Sequence, residues 1–423
     1  MTAIALVIAL ATLVVVLTRP RGLNEGVAAL GGAILMLLAH VVAPPAALHV
    51  LTTNWDVFLF FLGMLTVTGL AEQAGIFSWL ATRAAVLSRG SKLRLFVNVF
   101  LLGVLISTFL TNDATALILT PVVYSVVRLL DLDPLPYMFA CTFIADTASL
   151  TLPVSNPINI VIGEHFGLTT TGFLRYLLAP SLLAILINIV IFTLLFRRRV
   201  TGRFDTSLLG EEEAPAHPGF FRYAAIVLVI LAVVFVAGGI VGVPAGVIAV
   251  AGAVLLLGGA IALGALDARR FVRDFSWSIF PFVAGLFVVV RGIESVGLTK
   301  PIGKILTVGG GNAVVAALVS TGVSAVGTNL INNVPMALVL NTAVSATGNI
   351  HNAVGHALVY GSLLGCDLGP NLTTTGSLST MLWLLLLRQR GLQVSSLQYL
   401  RLGLIVTPLM LVVGAVVLGV TSG

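Results

Sequence analysis

Apolar runs near the length needed to cross a bilayer, about 20 residues, recur along the chain at 2–18, 26–43, 55–74, 136–166, 172–196, 223–242, 244–265, 277–292, 353–387 and 398–420. The runs 136–166 and 353–387 are overlong and interrupted by Pro, Asn, Thr and Ser, the mark of helices broken at mid-membrane. Two further blocks, 94–130 and 312–348, carry polar clusters at their centres, Thr111-Asn112-Asp113 and Asn332-Asn333. Each reads as two short spans or as one re-entrant helical hairpin, and the polar centres favour hairpins. The pattern predicts an all-α polytopic membrane protein.

The pattern also repeats. Trp55, Phe60, Gly63, Glu72 and Gly75 recur at one constant offset (277 − 55 = 222) as Trp277, Phe282, Gly285, Glu294 and Gly297. Asn112 matches Asn332 at a spacing of 220, and Asp146 matches Asp367 at 221. Each half then holds five spans and one hairpin. Five is odd, so the second copy is expected to be inverted, the plan of many secondary transporters. The expected division is a first repeat over 1–196, a hydrophilic linker over 197–222 containing Glu211-Glu212-Glu213, and an inverted second repeat over 223–423.

Basic residues orient this plan, because cytoplasmic loops are enriched in Lys and Arg. Arg19 and Arg21 follow the first span and place that loop inside. Arg83, Arg89, Lys92, Arg94 and Arg128 should share its side, so the block 94–130 must enter and leave at one face. The stretch from Asp131 to Leu174 has no Lys or Arg, which puts the turn near Glu164 and His165 outside. Arg197–Arg199, Arg203, Arg269, Arg270, Arg273, Arg388, Arg390 and Arg401 return inside if 312–348 is a hairpin from the outer face. Lys300 and Lys304 break the rule and are expected in an interfacial segment.

Composition agrees. Of 423 residues, 58% are hydrophobic and 9% charged, and the mean hydropathy is +1.11, whereas soluble domains carry about 25% charge. The net charge of +6 is explained by loop arginines, with no nucleic-acid partner expected. Met1 to Leu17 lacks a basic start and a cleavage site, so it reads as a retained span. Cys141 and Cys366 lie inside apolar runs and form no disulfide or zinc pattern. No cofactor or metal is expected.

Four segments carry the polar chemistry: TNDATALILTP (111–121), GTNLINNVPMALVLN (327–341), DTASLTLPVSNPINIV (146–161) and GCDLGPNLTTTGSLSTMLW (365–383). Helix ends at each break expose N–H and C=O groups that can hold oxygen-rich solutes. Thr111, Asn112, Ser155, Asn156, Asn159, Asn332, Asn333, Thr375, Gly376 and Ser377 are the candidate substrate contacts. Asp113, Asp146 and Asp367 are the candidate proton carriers, because carboxylates inside a bilayer are costly and usually functional. The plainer reading of Asp113 is a helix cap, and that of Asp146 and Asp367 is support of the breaks. Glu72 and Glu294 are expected to be interfacial, with Arg291 placed to pair with Glu294.

In order and spacing these segments resemble the ArsB-type arsenite/antimonite efflux permeases of the ion transporter superfamily, over essentially the whole chain. The resemblance implies export of the neutral trihydroxides of As(III) or Sb(III), driven by proton entry or by a soluble ATPase subunit. Dicarboxylate carriers of the superfamily have Ser-Asn-Thr at the hairpin tips, and the tips here depart from that. As(III) is thiophilic, yet the cysteines are not repeat-equivalent (366 − 141 = 225) and a tight thiolate trap would retain its cargo. They are expected to be structural, and the histidines to have no site role.

The expectation is therefore a secondary transporter in the cell membrane that exports As(III)/Sb(III) against protons. Asp113 is the preferred proton carrier, and substrate is expected between hairpin tips and broken helices. Besides substrate, protons and lipid, the ATPase subunit and a second copy of the chain stay open as partners. The alternative is a sodium-coupled carboxylate carrier or sodium/proton antiporter on the same scaffold. An enzyme is disfavoured by the absence of HExxH, GxSxG and phosphate-loop motifs. A passive channel is disfavoured by the inverted repeat.

Overall fold

The computed structural model describes residues 1–20, 23–209, 215–297, 299–348 and 350–423; Arg21 and the Glu211–Glu213 run lie outside them. Among these residues there is no strand, only one isolated bridge between Ser91 and Arg203. Eight helices are long and apolar enough to cross a membrane. Their outer faces carry leucine, isoleucine and valine at helical spacing, as at Leu182, Leu186 and Val190, all exposed, and the shorter helix Thr2–Thr18 does the same with Val7, Leu10 and Val14. Such stripes suit lipid and would be a liability in water.

The chain runs through one succession of elements twice. In the first half these are Thr2–Thr18, Glu25–Leu38, Pro44–Thr53, Trp55–Gln73, Ile76–Leu87, Lys92–Phe109, a return arm from Asn112 to Leu129, the pair Leu135–Ala148 and Pro157–Phe166, and Thr170–Val200. In the second they are Pro218–Ile240, Ala245–Ala262, Ala268–Asp274, Ile279–Ser295, Lys300–Leu306, Ala313–Ile331, Asn333–Ser345, the pair Ala353–Leu368 and Leu378–Gln389, and Ser396–Ser422. The expected span 26–43 is shorter than its apolar run. Its helix stops at Leu38, His40 takes a left-handed φ of 53°, and Pro44 opens a new helix, as proline at a first turn does. Lys300 and Lys304 lie on the short helix Lys300–Leu306, with Lys300 exposed.

The halves are joined by reciprocal contacts. Gly63 lies directly on the backbone of Ala249 and Val250, and Gly285 lies directly on the backbone of Ala29 and Leu30. Gly63 and Gly285 are repeat-equivalent (285 − 63 = 222), as are Ala29 and Ala249 (249 − 29 = 220). One close crossing of helix backbones is thus made twice with the partners exchanged. Only glycine permits such an approach.

Polar contacts define two ends. At one, Lys92 N donates to Gly202 O at 3.1 Å and Phe204 N to Gly90 O at 2.9 Å. There too Arg199 pairs with Asp133 at 3.4 Å, Arg270 with Glu72 at 3.1 Å, and Tyr124 donates to Arg390 O at 3.3 Å. The segments carrying Lys92, Arg199, Arg203, Arg270 and Arg390 therefore lie at one end of the bundle. At the other, His165 bonds Ser345 at 3.0 Å, Tyr176 bonds His356 at 3.1 Å, and Asn341 donates to Val161 O at 3.1 Å. Blocks 92–129 and 313–345 each fold as helix, tight tip and return helix. The first has both feet at the arginine-bearing end, and the second returns to the opposite end.

Candidate functional site

The broken spans part where the sequence forbids a continuous helix. Pro153 and Pro157 lack N–H groups and push the preceding residues into extended conformation; Leu152 has φ/ψ of −133°/156° and Asn156 of −147°/135°. The second break follows Gly369-Pro370 and ends at Ser377, also extended. Each new half-helix is capped by its own side chain. Asn156 accepts from Ile158 N at 3.2 Å and Ser377 from Thr380 N at 3.2 Å, satisfying donors otherwise orphaned at a helix start.

The two breaks exchange hydrogen bonds. Asp146 Oδ2 accepts from Ser377 Oγ at 3.1 Å and Thr380 Oγ1 at 3.3 Å. Asp367 Oδ1 accepts from Asn156 Nδ2 at 2.7 Å and Ser149 Oγ at 2.8 Å. Asp146 and Asp367 share the offset of Asn156 and Ser377 (367 − 146 = 377 − 156 = 221). Each carboxylate is therefore held by the cap residue of the opposite break.

The hairpin tips close on this joint. Thr111 caps the first return arm, accepting from Ala114 N at 3.1 Å, while Asn112 Nδ2 donates to Asp146 Oδ1 at 3.2 Å. Asp113 Oδ1 accepts from Ser379 Oγ at 2.5 Å. Beyond the tip, Thr115–Leu119 form a π turn, a widening common at functional sites. At the second tip Asn332 takes φ/ψ of 74°/157°, a region nearly confined to glycine. It is clasped to the second break: Asn332 Nδ2 donates to Thr375 O at 3.2 Å and Asn333 N to Gly376 O at 3.1 Å.

Between the tips lies a void of about 20 Å³ lined by Asn112, Asp113, Asn156, Asn333, Ser379 and Phe61, among others, room for about one water. A cleft of about 450 Å³ runs from Thr111 and Asp113 to Glu72, Arg270 and Asp274 at the arginine-bearing end. Among the described residues, no three His, Cys, Asp or Glu side chains converge as a metal site.

A family model described as ArsB, arsenical pump membrane protein, matches residues 4–421. The chain belongs to this family. It is 34% identical over 402 residues to the arsenical pump membrane protein of Escherichia coli K12, covering 94% of this chain and 93% of that one. The fold resembles the YdaH transporter of Alcanivorax borkumensis (TM-score 0.55, 16% identity, 90% and 89% of the two chains). It also resembles MtrF of Neisseria gonorrhoeae (TM-score 0.54, 12% identity, 90% and 85%). The chain is a multi-pass membrane protein with a transporter fold.

Within this arsenical pump family member, the sequence-derived candidates divide. Asn112, Asp113, Asn156 and Asn333 meet at the void. Asp146, Asp367 and Ser377 lie behind it in the crossed network. Ser155 is spent internally, donating to Thr108 O at 2.8 Å and accepting from Leu152 N at 3.3 Å. Asn159 ties Ser149 O and Leu152 O at 2.8 and 3.2 Å, Asn332 and Thr375 form the clasp, and Gly376 packs against Pro370 and Asn329 where a side chain would not fit. The cap of the first return arm is Thr111, so Asp113 is not spent there. Glu294 pairs with Arg291 at 3.2 Å and is bonded by Thr342. Cys141 and Cys366 are free and buried. Ser379 and Thr380 are additions. The offset that relates the two breaks makes Thr380 the counterpart of Asn159 (380 − 159 = 221), whereas Ser379 corresponds to Ile158 and carries no repeat signal.

Proposed function

We propose that this transporter exports the neutral trihydroxides of As(III) and Sb(III) in exchange for protons, on an inverted repeat whose arginine-bearing end is cytoplasmic. The observation that carries the reading is the set of groups at the tips: amides, hydroxyls and one carboxylate, Asp113, lining the void with no Lys, Arg or His among them. A trihydroxide presents three O–H donors, which amide and carboxylate oxygens accept without a counter-charge. A multiply charged anion would find no cation to offset its desolvation. The void is too small for this solute, so the route in is the larger cleft, which Asp113 also lines. Family membership supports the substrate class, since the Escherichia coli relative is named as an arsenical pump.

A neutral cargo cannot by itself draw on the membrane gradient, so a titratable group must carry the coupling. Asp113 is that group: it faces the cleft and, among the described residues, has Ser379 as its one side-chain donor. Asp146 and Asp367 are each held by several donors. Everted vesicles loaded with this protein should accumulate arsenite when a proton gradient is imposed and lose the accumulation when it is collapsed. Asp113→Asn should abolish gradient-driven accumulation while arsenite exchange continues. Accumulation by Asp113→Asn at the wild-type level overturns the assignment, and an absolute need for sodium overturns proton exchange in favour of sodium coupling.

A further inference from the structure

At the end opposite the arginines a second cleft, of about 290 Å³, is lined by Asp56, Asn159, Glu164, Thr169 and Thr170 among others. Asp56 is 1% exposed and Asn159 is fully buried, yet Asp56 Oδ2 and Asn159 Oδ1 have no hydrogen-bond partner. The other Asp56 oxygen accepts from Gly246 N at 2.9 Å, at the start of helix Ala245–Ala262. Glu164 stands at the mouth, exposed, with its carboxyl in hydrogen-bonding reach of Asp56. Two carboxyl groups in contact cannot both be ionised without a cation or a shared proton between them.

Among the described residues, no Lys, Arg or His lines this cleft. Of the other titratable groups near this end, His165 bonds Ser345, His356 bonds Tyr176, Arg175 stacks over the Tyr176 ring at 5.2 Å, and Arg291 pairs with Glu294. The repeat adds a second argument. The counterpart of Asp56 is Ser278 (278 − 56 = 222), which donates to Glu25, itself paired with Arg19 at 3.2 Å. The counterpart of Glu164 is Leu385 (385 − 164 = 221). The repeat therefore does not reproduce this pair: Asp56 also holds the first turn of helix Ala245–Ala262, but neither carboxylate has an acidic counterpart in the other half.

We propose that Asp56 and Glu164 share a proton and form the loading station for the coupling proton at the outer face, with Asn159 leading inward. Glu164 meets water, Asp56 lies sealed beneath it, and the Asn159 amide lines the same cleft with its Oδ1 unpartnered. The proton arrives from bulk water at the outer mouth, is held between the carboxyl oxygens, and passes inward past Asn159 towards the joint between the broken spans. No bond other than O–H is formed or broken.

This inference rests on the proton-exchange reading, and the experiment separates the two. Reconstituted vesicles carrying an internal pH dye report arsenite-driven proton movement, and labelled arsenite reports exchange in the same preparation. Wild type moving no protons with arsenite would defeat proton exchange itself. With wild-type proton movement established, Glu164→Gln should lose it and keep arsenite exchange, and Glu164→Asp should restore it in part. Infrared difference spectra across a pH titration should show a protonated carboxyl band that Glu164→Gln and Asp56→Asn each remove. Proton movement and that band at wild-type strength in Glu164→Gln would overturn the assignment. A sodium ion that protects Glu164 from carbodiimide modification would overturn it as well, making the pair a cation site.

Discussion

Asn156 Nδ2 donates to Asp367 Oδ1 across the joint between the broken spans, at 2.7 Å. Its counterpart Ser377 does the same for Asp146, but the two carboxylates are not equally provided for. Asp146 keeps Asn112 and Thr380 as donors if Ser377 is removed. Asp367 keeps Ser149 at Oδ1, while its Oδ2 has no partner already. Such a side-chain hydrogen bond is worth about 0.5–1.5 kcal/mol net. Asn156→Ala should therefore lower the thermal stability of the detergent-purified protein more than Ser377→Ala. Equal melting temperatures for the two variants would contradict this ordering.

The exchanged helix crossings predict paired sensitivity. Gly63→Leu and Gly285→Leu each drive a side chain into the backbone of the facing helix, whereas Gly31 has no atom within 4 Å of a Cβ position. Both crossing variants should fail to yield a monodisperse protein, and Gly31→Leu should purify as wild type. Overpacking that cannot relax costs about 1–3 kcal/mol or more, and two backbones in contact have nowhere to move.

Asn332 separates strain from substrate contact. Its φ of 74° with ψ of 157° is costly for any side chain, on the order of 1–3 kcal/mol. Asn332→Ala keeps the strain and loses the clasp to Thr375, whereas Asn332→Gly loses the clasp and relieves the strain. The glycine variant should transport better than the alanine variant. Equal rates in the two, both several-fold below wild type, would instead make the amide a substrate contact.

Sidedness is testable with cysteines, because Cys141 and Cys366 are buried and free and give a quiet background. Ser207→Cys, at the arginine-bearing end, should resist an impermeant thiol reagent in intact cells, and Thr171→Cys, at the other end, should react. Both positions are exposed, whereas neighbouring Thr170 is 4% exposed and unsuitable. The opposite labelling pattern would reverse the direction of transport proposed above.

Much of this fold is legible in the chain because membrane helices declare themselves by length and their breaks by chemistry. Pro153, Pro157, Gly369 and Pro370 cluster in pairs within apolar runs, unlike the single Pro180 and Pro408 that longer helices absorb, and the polar tips stand out against leucine and valine. The near-constant offset between matching positions exposes the repeat and, with it, the pairing of Asp146 with Asp367. What stays hidden is whatever depends on the other half. Ser155 and Asn159 look like Asn156 in a motif, yet their neighbours turn them inward to carbonyls. Ser379 looks like any serine on a first turn until the other hairpin brings Asp113 against it. Asp56 and Glu164 lie far apart in the chain (164 − 56 = 108) and become a pair only when the first broken span folds beside helix Trp55–Gln73.

The π turn at Thr115–Leu119 sets the phase of the first hairpin. It inserts one residue into the winding between the tip and the arm Thr120–Leu129, and each residue in an α-helix turns the chain by about 100°. Rewinding that segment as an ordinary α turn, with the arm fixed, would rotate Asn112 and Asp113 about the helix axis, away from Asp146 and Ser379. The azimuth of Asp113 is thus encoded in a count of residues, and a single deletion between Thr115 and Leu119 would change it without altering any side chain at the tip itself.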